Sequence, residues 1–451
     1  MAFAAILMLA GTTNSWALLG LEKVSYDGSL ETVGVSANNE VQQNNKAALS
    51  DHRGETNTRV RLGIDADVTE GVVGRVEFGR TNSTYGRSYA ASNASNSIDN
   101  ETANILINNA YVDLADLLSL NVRLGRQYVG NDNDLVWNIS PRKGDALAIN
   151  AIDGLLLGKK WAMAEASLFM GKAVKEDPQG STNLNLAVTG DVNLNSLDII
   201  IPKVLPNGKI NVGYLWGVQT SVSPRNSLNT ARLGVSGGVL ENMVTYQAEY
   251  LMNTGANNFT GTKVKYEGTA IDLGVGYNAP ETSIGKFSAN IGYVMASGDN
   301  NTTDNKDKAF HDFGVLGVAS SDRYFGEIFS KSDVLAVGQV GVNSPAQGQG
   351  LKVLTLGVEY FPKWVNNTNA KLAFYDVKMD KNGASALSTA KDVGQEWDLS
   401  LGYKVSDNVG ISGGYAMLQP DKGIVGTVPG TKKDDITKLF ARASIKWGSN
   451  K

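Results

Sequence analysis

The chain has 451 residues, a formal net charge of −4, two histidines and no cysteine. Disulfides, cysteine-based zinc sites, thiol catalysis and a histidine-rich metal site are excluded, and the charge gives a nucleic acid no footing. With 50 glycines against 10 prolines and a mean hydropathy of −0.17, the composition suits many strands and tight turns, in water or as a barrel that wets one face of each strand.

At the N-terminus, residues 2–10 form a short apolar core. Polar Thr12, Thr13, Asn14 and Ser15 follow, and small Ser15 and Ala17 fit a cleavage site after Ala17. Residues 1–17 read as a signal peptide, although no Lys or Arg precedes the apolar run. The run is too short for a transmembrane helix, which needs roughly 20 residues, and no later segment approaches one.

Period-two alternation dominates from there. A first strand is expected over 24–36, with Tyr26, Gly28 and Leu30 on one face and a phase slip before Val33. Over 58–68, Val60, Leu62, Ile64, Ala66 and Val68 alternate with Arg59, Arg61, Gly63, Asp65 and Asp67. The turn Thr69-Glu70-Gly71 leads into 73–81, where Val76 and Phe78 oppose Arg75, Glu77 and Gly79. A hairpin joins Ala110-Tyr111-Val112-Asp113-Leu114 to 120–128, in which Leu120, Val122 and Leu124 oppose Asn121, Arg123 and Gly125. Further strands fit 154–162, 165–174, 184–193, 196–205, 209–220, 230–240, 243–252, 264–277 and 286–296. The last group is 352–361, 369–379, 396–405, 409–418 and 435–447. The final strand sets Leu439, Ala441, Ala443, Ile445 and Trp447 against Lys438, Phe440, Arg442, Ser444 and Lys446. The period-two pattern gives about 16 to 18 strands.

Short turns at 68–71, 115–119, 241–242 and 406–407 contrast with long polar loops at 38–55, 82–101, 130–150 and 298–349. Outer-membrane barrels have short periplasmic turns and long outer loops. Aromatic residues such as Trp216, Tyr250, Trp397 and Trp447 lie on the apolar faces, as interfacial girdles do. No fixed-period repeat marks a propeller, and no linker marks a set of soluble sandwiches. In lipid, strands pair every backbone group only by closing on themselves. The expected fold is all-β: a closed antiparallel up-and-down transmembrane β-barrel, one domain over 18–451, in a bacterial outer membrane.

Alternation then puts Arg59, Arg61, Arg75 and Arg123, with Asp65, Asp67 and Glu77, on the lumen face. A barrel of about 16–18 strands encloses an aqueous channel unless something plugs it. Arg126 breaks the alternation after Leu124; either a bulge turns it into the constriction or a loop carboxylate holds it at the rim. The 130–150 segment carries Asn131-Asp132-Asn133-Asp134, Arg142-Lys143 and Asp145. Folded into the lumen it would set opposed charges across the pore and select solutes by charge; otherwise it is an extracellular flap. Its Asp/Asn run lacks the Gly and terminal Glu of a calcium loop. Trp137 could stack a sugar ring, whereas Trp161 suits the membrane interface. His52 and His311 have no nucleophile or carboxylate at a recognisable spacing, so no enzyme activity and no cofactor are expected.

Ala110-Tyr111-Val112-Asp113-Leu114, Leu124-Gly125-Arg126-Gln127, Asp153-Gly154, and Ala309-Phe310-His311 leading to Arg323-Tyr324-Phe325-Gly326 carry a resemblance. The chain resembles Gram-negative outer-membrane porins and looks most like the alginate-export and carbohydrate-porin group. That resemblance implies a monomeric or homotrimeric barrel whose arginine-rich lumen, narrowed by infolded loops, conducts sugars or anions. The sequence departs from the group in continuing past Trp447 with Gly-Ser-Asn-Lys. Three readings remain: the first is a passive pore for small hydrophilic solutes, with outer-membrane lipid around it, and the second a structural or adhesive barrel plugged by its own loops. A soluble secreted protein of several sheets is the third.

Overall fold

The computed structural model describes residues 23–39, 52–80, 106–130, 133–145, 147, 149–174, 191–205, 207–220, 225–258, 262–301, 303–316, 323, 325–329, 348, 350–381, 391–421 and 434–449. The expected signal peptide lies outside them, as do Asp132, most of the 38–55 loop and all of the 82–101 loop.

Strands form where apolar and polar residues alternate, because a pleated strand turns successive side chains to opposite faces. The first five are β1 (Lys23–Asn38), β2 (His52–Thr69), β3 (Val72–Arg80), β4 (Leu106–Leu117) and β5 (Leu120–Gln127). Then come β6 (Ile152–Lys160), β7 (Glu165–Val174), β8 (Val192–Pro202), β9 (Lys209–Gln219), β10 (Asn226–Val239) and β11 (Val244–Asn257). The remainder are β12 (Thr269–Asn278), β13 (Gly285–Ala296), β14 (Leu351–Pro362), β15 (Thr368–Lys378), β16 (Asp392–Ser406), β17 (Val409–Pro420) and β18 (Ile436–Gly448).

Each strand pairs antiparallel with the next. β18 returns to β1 from Asp27↔Gly448 to Asn38↔Thr437, which closes the ring. The sheet holds 20 strands; Val264–Tyr266 and Lys306–Asp307 are short additions beside the wall, leaving 18 in the barrel. The expected closed up-and-down barrel is therefore the observed one. Both chain ends of the wall sit at the end with short turns, such as those between β2 and β3 or β16 and β17; the long loops share the other end.

The wall is polarised inside out. Leu124, Leu233, Val275, Val358, Leu401 and Leu439 are exposed on the outer face. Arg59, Asp65, Glu77, Arg232, Glu396 and Lys438 are buried on the inner one. A soluble sheet would place these residues the other way round. Phe287 stacks on Tyr360 near the short-turn end, with ring centroids 4.5 Å apart. Phe374 lies 4.6 Å from Trp397, nearer the loop end. Two aromatic levels thus bound the apolar band.

Two strand expectations change. β1 has no phase slip; it pairs with β2 without interruption from Lys23 to Asn38. Val33, Val35 and Ala37 share the inner face with Ser29 and pack against Leu147 of a loop. Apolar residues stand on the wet face there because a loop covers it. The expected strands 184–193 and 196–205 are represented by one strand, β8, and residues 184–190 lie outside the described part.

Candidate functional site

The third long loop (128–151) connects β5 to β6, and its described part runs through the barrel interior. Arg232 of β10 donates to both carboxylate oxygens of Asp134, at 2.8 and 2.7 Å. Both side chains are under 7% exposed. Asp134 also accepts the Val136 N–H at 2.7 Å, which holds the next turn in place. Trp137 packs on Phe169 of β7 and on Phe313, with centroids 5.8 and 6.1 Å away.

The same loop is bound to the opposite wall. Arg59 of β2 donates to the carbonyls of Arg142, at 2.7 Å, and Leu147, at 3.3 Å, and its Nε reaches Glu31 of β1 at 2.5 Å. Asn57 donates to the Asp145 carbonyl at 2.9 Å. The Asp145 carboxylate meets Lys438 at 2.7 Å and Arg442 at 3.4 Å, both on β18. β10 and β1 stand nine strands apart in a ring of 18, so a loop that touches both crosses the interior.

The seventh long loop (297–350) lies beside it. Arg323 bonds Asp272 of β12 and donates to the Asn133 carbonyl at 3.0 Å. The amides of Ile328 and Phe329 donate to Glu396 of β16 at 2.7 and 2.9 Å, and that of Glu327 to Asp398 at 3.0 Å. The Glu327 side chain then reaches Arg442 at 2.6 Å. Asp145 and Glu327, one from each loop, thus share the cations of β18. Burial raises the Glu327 carboxyl, but the Arg442 hydrogen bond and the Arg442 and Lys438 charges outweigh it, and the group ends below its ordinary 4.5.

Above these ion pairs the loops join the wall in one apolar cluster. Leu135, Val136 and Trp137 from the third loop meet Phe310, Phe313 and Leu316 from the seventh, against Leu194, Leu215, Leu228 and Leu251.

The remaining expected residues divide. Arg75 bonds Asp27, Asp65 and Glu77 at 2.8, 3.0 and 3.2 Å. Arg123 grips Asp113 bidentately, at 2.7 and 2.8 Å, and lies 4.0 Å over the Tyr111 ring. Arg61 donates to Ser29 Oγ at 3.2 Å. Lys143 is exposed. Arg126 stands apart: it pairs with Asp153 at 3.4 Å on the face opposite Arg123, and both are open to the outside. The β5–β6 register runs unbroken past it, so no bulge turns it inward.

Arg232, Glu327, Lys438 and Arg442 were not singled out from the sequence. Lys438 and Arg442 were visible as the polar face of the last strand. Glu327 had no signal, because a loop residue's partner is set by the loop's path. His311 does have a carboxylate partner, contrary to expectation: its Nε2–H donates to Asp307, 2.8 Å away, under the edge of Tyr266, which ties down the seventh loop. Among the described residues no cluster of His, Asp and Glu is arranged to hold a metal ion.

The fold defines a class: a closed 18-stranded antiparallel up-and-down β-barrel with loops bound inside it. Solved structures share it. Pseudomonas aeruginosa OpdO is similar at a TM-score of 0.59 and 12% identity, over 96% of this chain and 99% of that one. P. aeruginosa OccK10 (OpdN) gives 0.59 and 12%, over 95% and 100%. Acinetobacter baumannii OccAB3 gives 0.58 and 11%, over 94% and 100%. At such identities the likeness is one of fold. No protein-family model matches the chain, and no curated protein matches it by sequence.

Proposed function

We propose that the chain is an outer-membrane porin passing small hydrophilic solutes by passive diffusion, with no bond chemistry. The observation that carries this reading is the third loop bound to opposite walls of a closed barrel, through Asp134–Arg232 on one side and Asp145–Lys438 on the other. Such a loop narrows the lumen and puts fixed charges beside the route. Arg59, Arg61, Asp65, Arg75, Glu77 and Arg123 line the lumen in this reading, and Asp134, Arg142 and Asp145 belong to the constriction. The motifs shared with the alginate-export and carbohydrate-porin group make sugars and small anions the solutes to try first. Outer-membrane lipid surrounds the apolar band, a homotrimer is one assembly to look for, and residues 1–17 act as the export signal.

Conductance of the refolded chain in a planar bilayer tests the reading. A second reading, a barrel plugged by its own loops, draws on the continuous apolar cluster joining both loops to the wall. It is recognised by a folded barrel that carries no current.

A further inference from the structure

The barrel has eight short connections, all at one end, and six in a row carry a large apolar side chain. Between β4 and β15 these are Leu118, Met163, Val204, Leu240, Ile284 and Trp364, one in each turn. All six are exposed, Leu118 at 88%, Met163 at 79% and Trp364 at 76%. Turns that stand in water favour Gly, Asn, Asp and Ser. The other two connections follow that rule: Glu70-Gly71 joins β2 to β3, and Asp407-Asn408 joins β16 to β17. They flank the seam between β1 and β18. The short-turn rim is therefore apolar under β4 to β15 and polar around the seam.

Leu118 and Leu240 hold left-handed backbone, with φ +52 and +51, which Gly and Asn adopt more readily than Leu. An apolar side chain stands at these positions against the preference of the backbone. The two tryptophans of the rim turn toward the outer face. The Trp364 indole N–H donates to Tyr360 Oη at 3.3 Å, and the Tyr360 ring stacks on Phe287 in the outer aromatic level. The Trp161 ring lies 5.9 Å from Nζ of Lys159, which shares the outer face with Leu155 and Leu157. Each tip is within two residues of a strand end, roughly 7 Å along the chain. The headgroup layer of a bilayer is roughly 5–8 Å deep. The tips thus continue the lipid-facing band into that layer without passing beyond it. Short turns face the periplasm in outer-membrane barrels, and the leaflet on that side is phospholipid.

We propose that these six turns form a crescent-shaped foot embedded in the headgroup layer of the periplasmic phospholipid leaflet. The foot fixes the depth of the barrel under β4 to β15, while the two seam turns stand in water. The proposal rests on the outer-membrane reading and is independent of what crosses the lumen.

Spin-label accessibility tests it. The chain has no cysteine, so one nitroxide can be attached at a chosen site of the full chain, refolded into vesicles of phosphatidylethanolamine and phosphatidylglycerol. Labels at Leu118→Cys, Met163→Cys and Trp364→Cys report the crescent, Glu70→Cys and Asp407→Cys the seam turns, and Val275→Cys the lipid-facing wall. Collisions with oxygen, which concentrates in lipid, and with a water-soluble nickel chelate give the depth. The crescent labels should show an oxygen-to-nickel ratio several-fold above the seam labels and below Val275→Cys. Heat modification on gels confirms each barrel, and if one crescent variant fails to fold the other two decide. Equal ratios at crescent and seam turns overturn the proposal. Crescent labels as open to nickel as Glu70→Cys, the result expected if the tips serve a soluble protein instead, overturn it as well. An aqueous Val275→Cys label removes the membrane reading and the crescent with it; a lipid-exposed Val275→Cys label beside aqueous crescent labels removes the crescent alone.

Discussion

Arg232 and Asp134, 98 residues apart, form a doubly hydrogen-bonded ion pair sealed between wall and loop. Taking either partner away strands a buried charge, which costs about 3–5 kcal/mol. Arg232→Ala should therefore undock the third loop. Proteolysis near residues 133–147 should appear, and single-channel conductance should rise. Asp134→Ala should undock it further, since the Val136 N–H also loses its acceptor. The double variant should be no worse than Asp134→Ala, which a double-mutant cycle on the proteolysis rate reads directly.

Glu327 gives a pH dependence with a definite sign. Its carboxyl lies below the ordinary 4.5 when the barrel is folded. A depressed folded value means the clasp on Arg442 is at full strength above 4.5 and is lost as pH falls through the lower value. Conductance and protease resistance of the seventh loop should be flat from neutral pH to that point and change only in stronger acid. Glu327→Gln should show the released behaviour at neutral pH.

Arg59 and Arg61 lie two residues apart on one face and should behave differently. Arg59 holds loop carbonyls, whereas the hydrogen bond of Arg61 to Ser29 stays within the wall. Arg59→Gln should raise conductance by loosening the third loop. Arg61→Gln should leave conductance nearly unchanged and move the reversal potential toward cations, as neutralising Arg123 should. An unmoved reversal potential in both Arg61→Gln and an Arg123→Gln variant removes these arginines from the selectivity argument.

The seam between β1 and β18 depends on a small residue. Gly28 pairs with Trp447, and a Cβ built on Gly28 would fall 2.5 Å from the indole ring. Gly28→Leu should lower the temperature at which the barrel unfolds on heated gels, and Trp447→Ala in the same chain should restore part of it. Gly125 is stricter. At φ +130 its Cβ would meet the Ala110 carbonyl at 2.2 Å, so Gly125→Ala should cost about 1–3 kcal/mol of backbone strain with no partner variant to relieve it.

The wall was legible because alternation is local. Leu120, Val122 and Leu124 against Asn121 and Arg123 set the two faces before any partner strand is known. The short-turn, long-loop rhythm gave the topology in the same way. Alternation misled where long loops return: Val33, Val35 and Ala37 look like a change of phase, yet they are inner-face residues covered by Leu147. Arg126 shows the converse, since parity alone puts it outside and the register obeys parity. The pairs that tie the loops in place, Arg232 with Asp134 and Arg442 with Glu327, join residues about a hundred positions apart. No periodicity encodes such a pairing, because it depends on the path of a loop through the lumen.

Planar-bilayer recording on the refolded full chain addresses the central claim most directly. A loop-narrowed pore should give stable, ohmic single-channel steps whose size increases in Arg232→Ala. Well-folded barrels that insert and carry no current, in the parent and in Arg232→Ala alike, would contradict it.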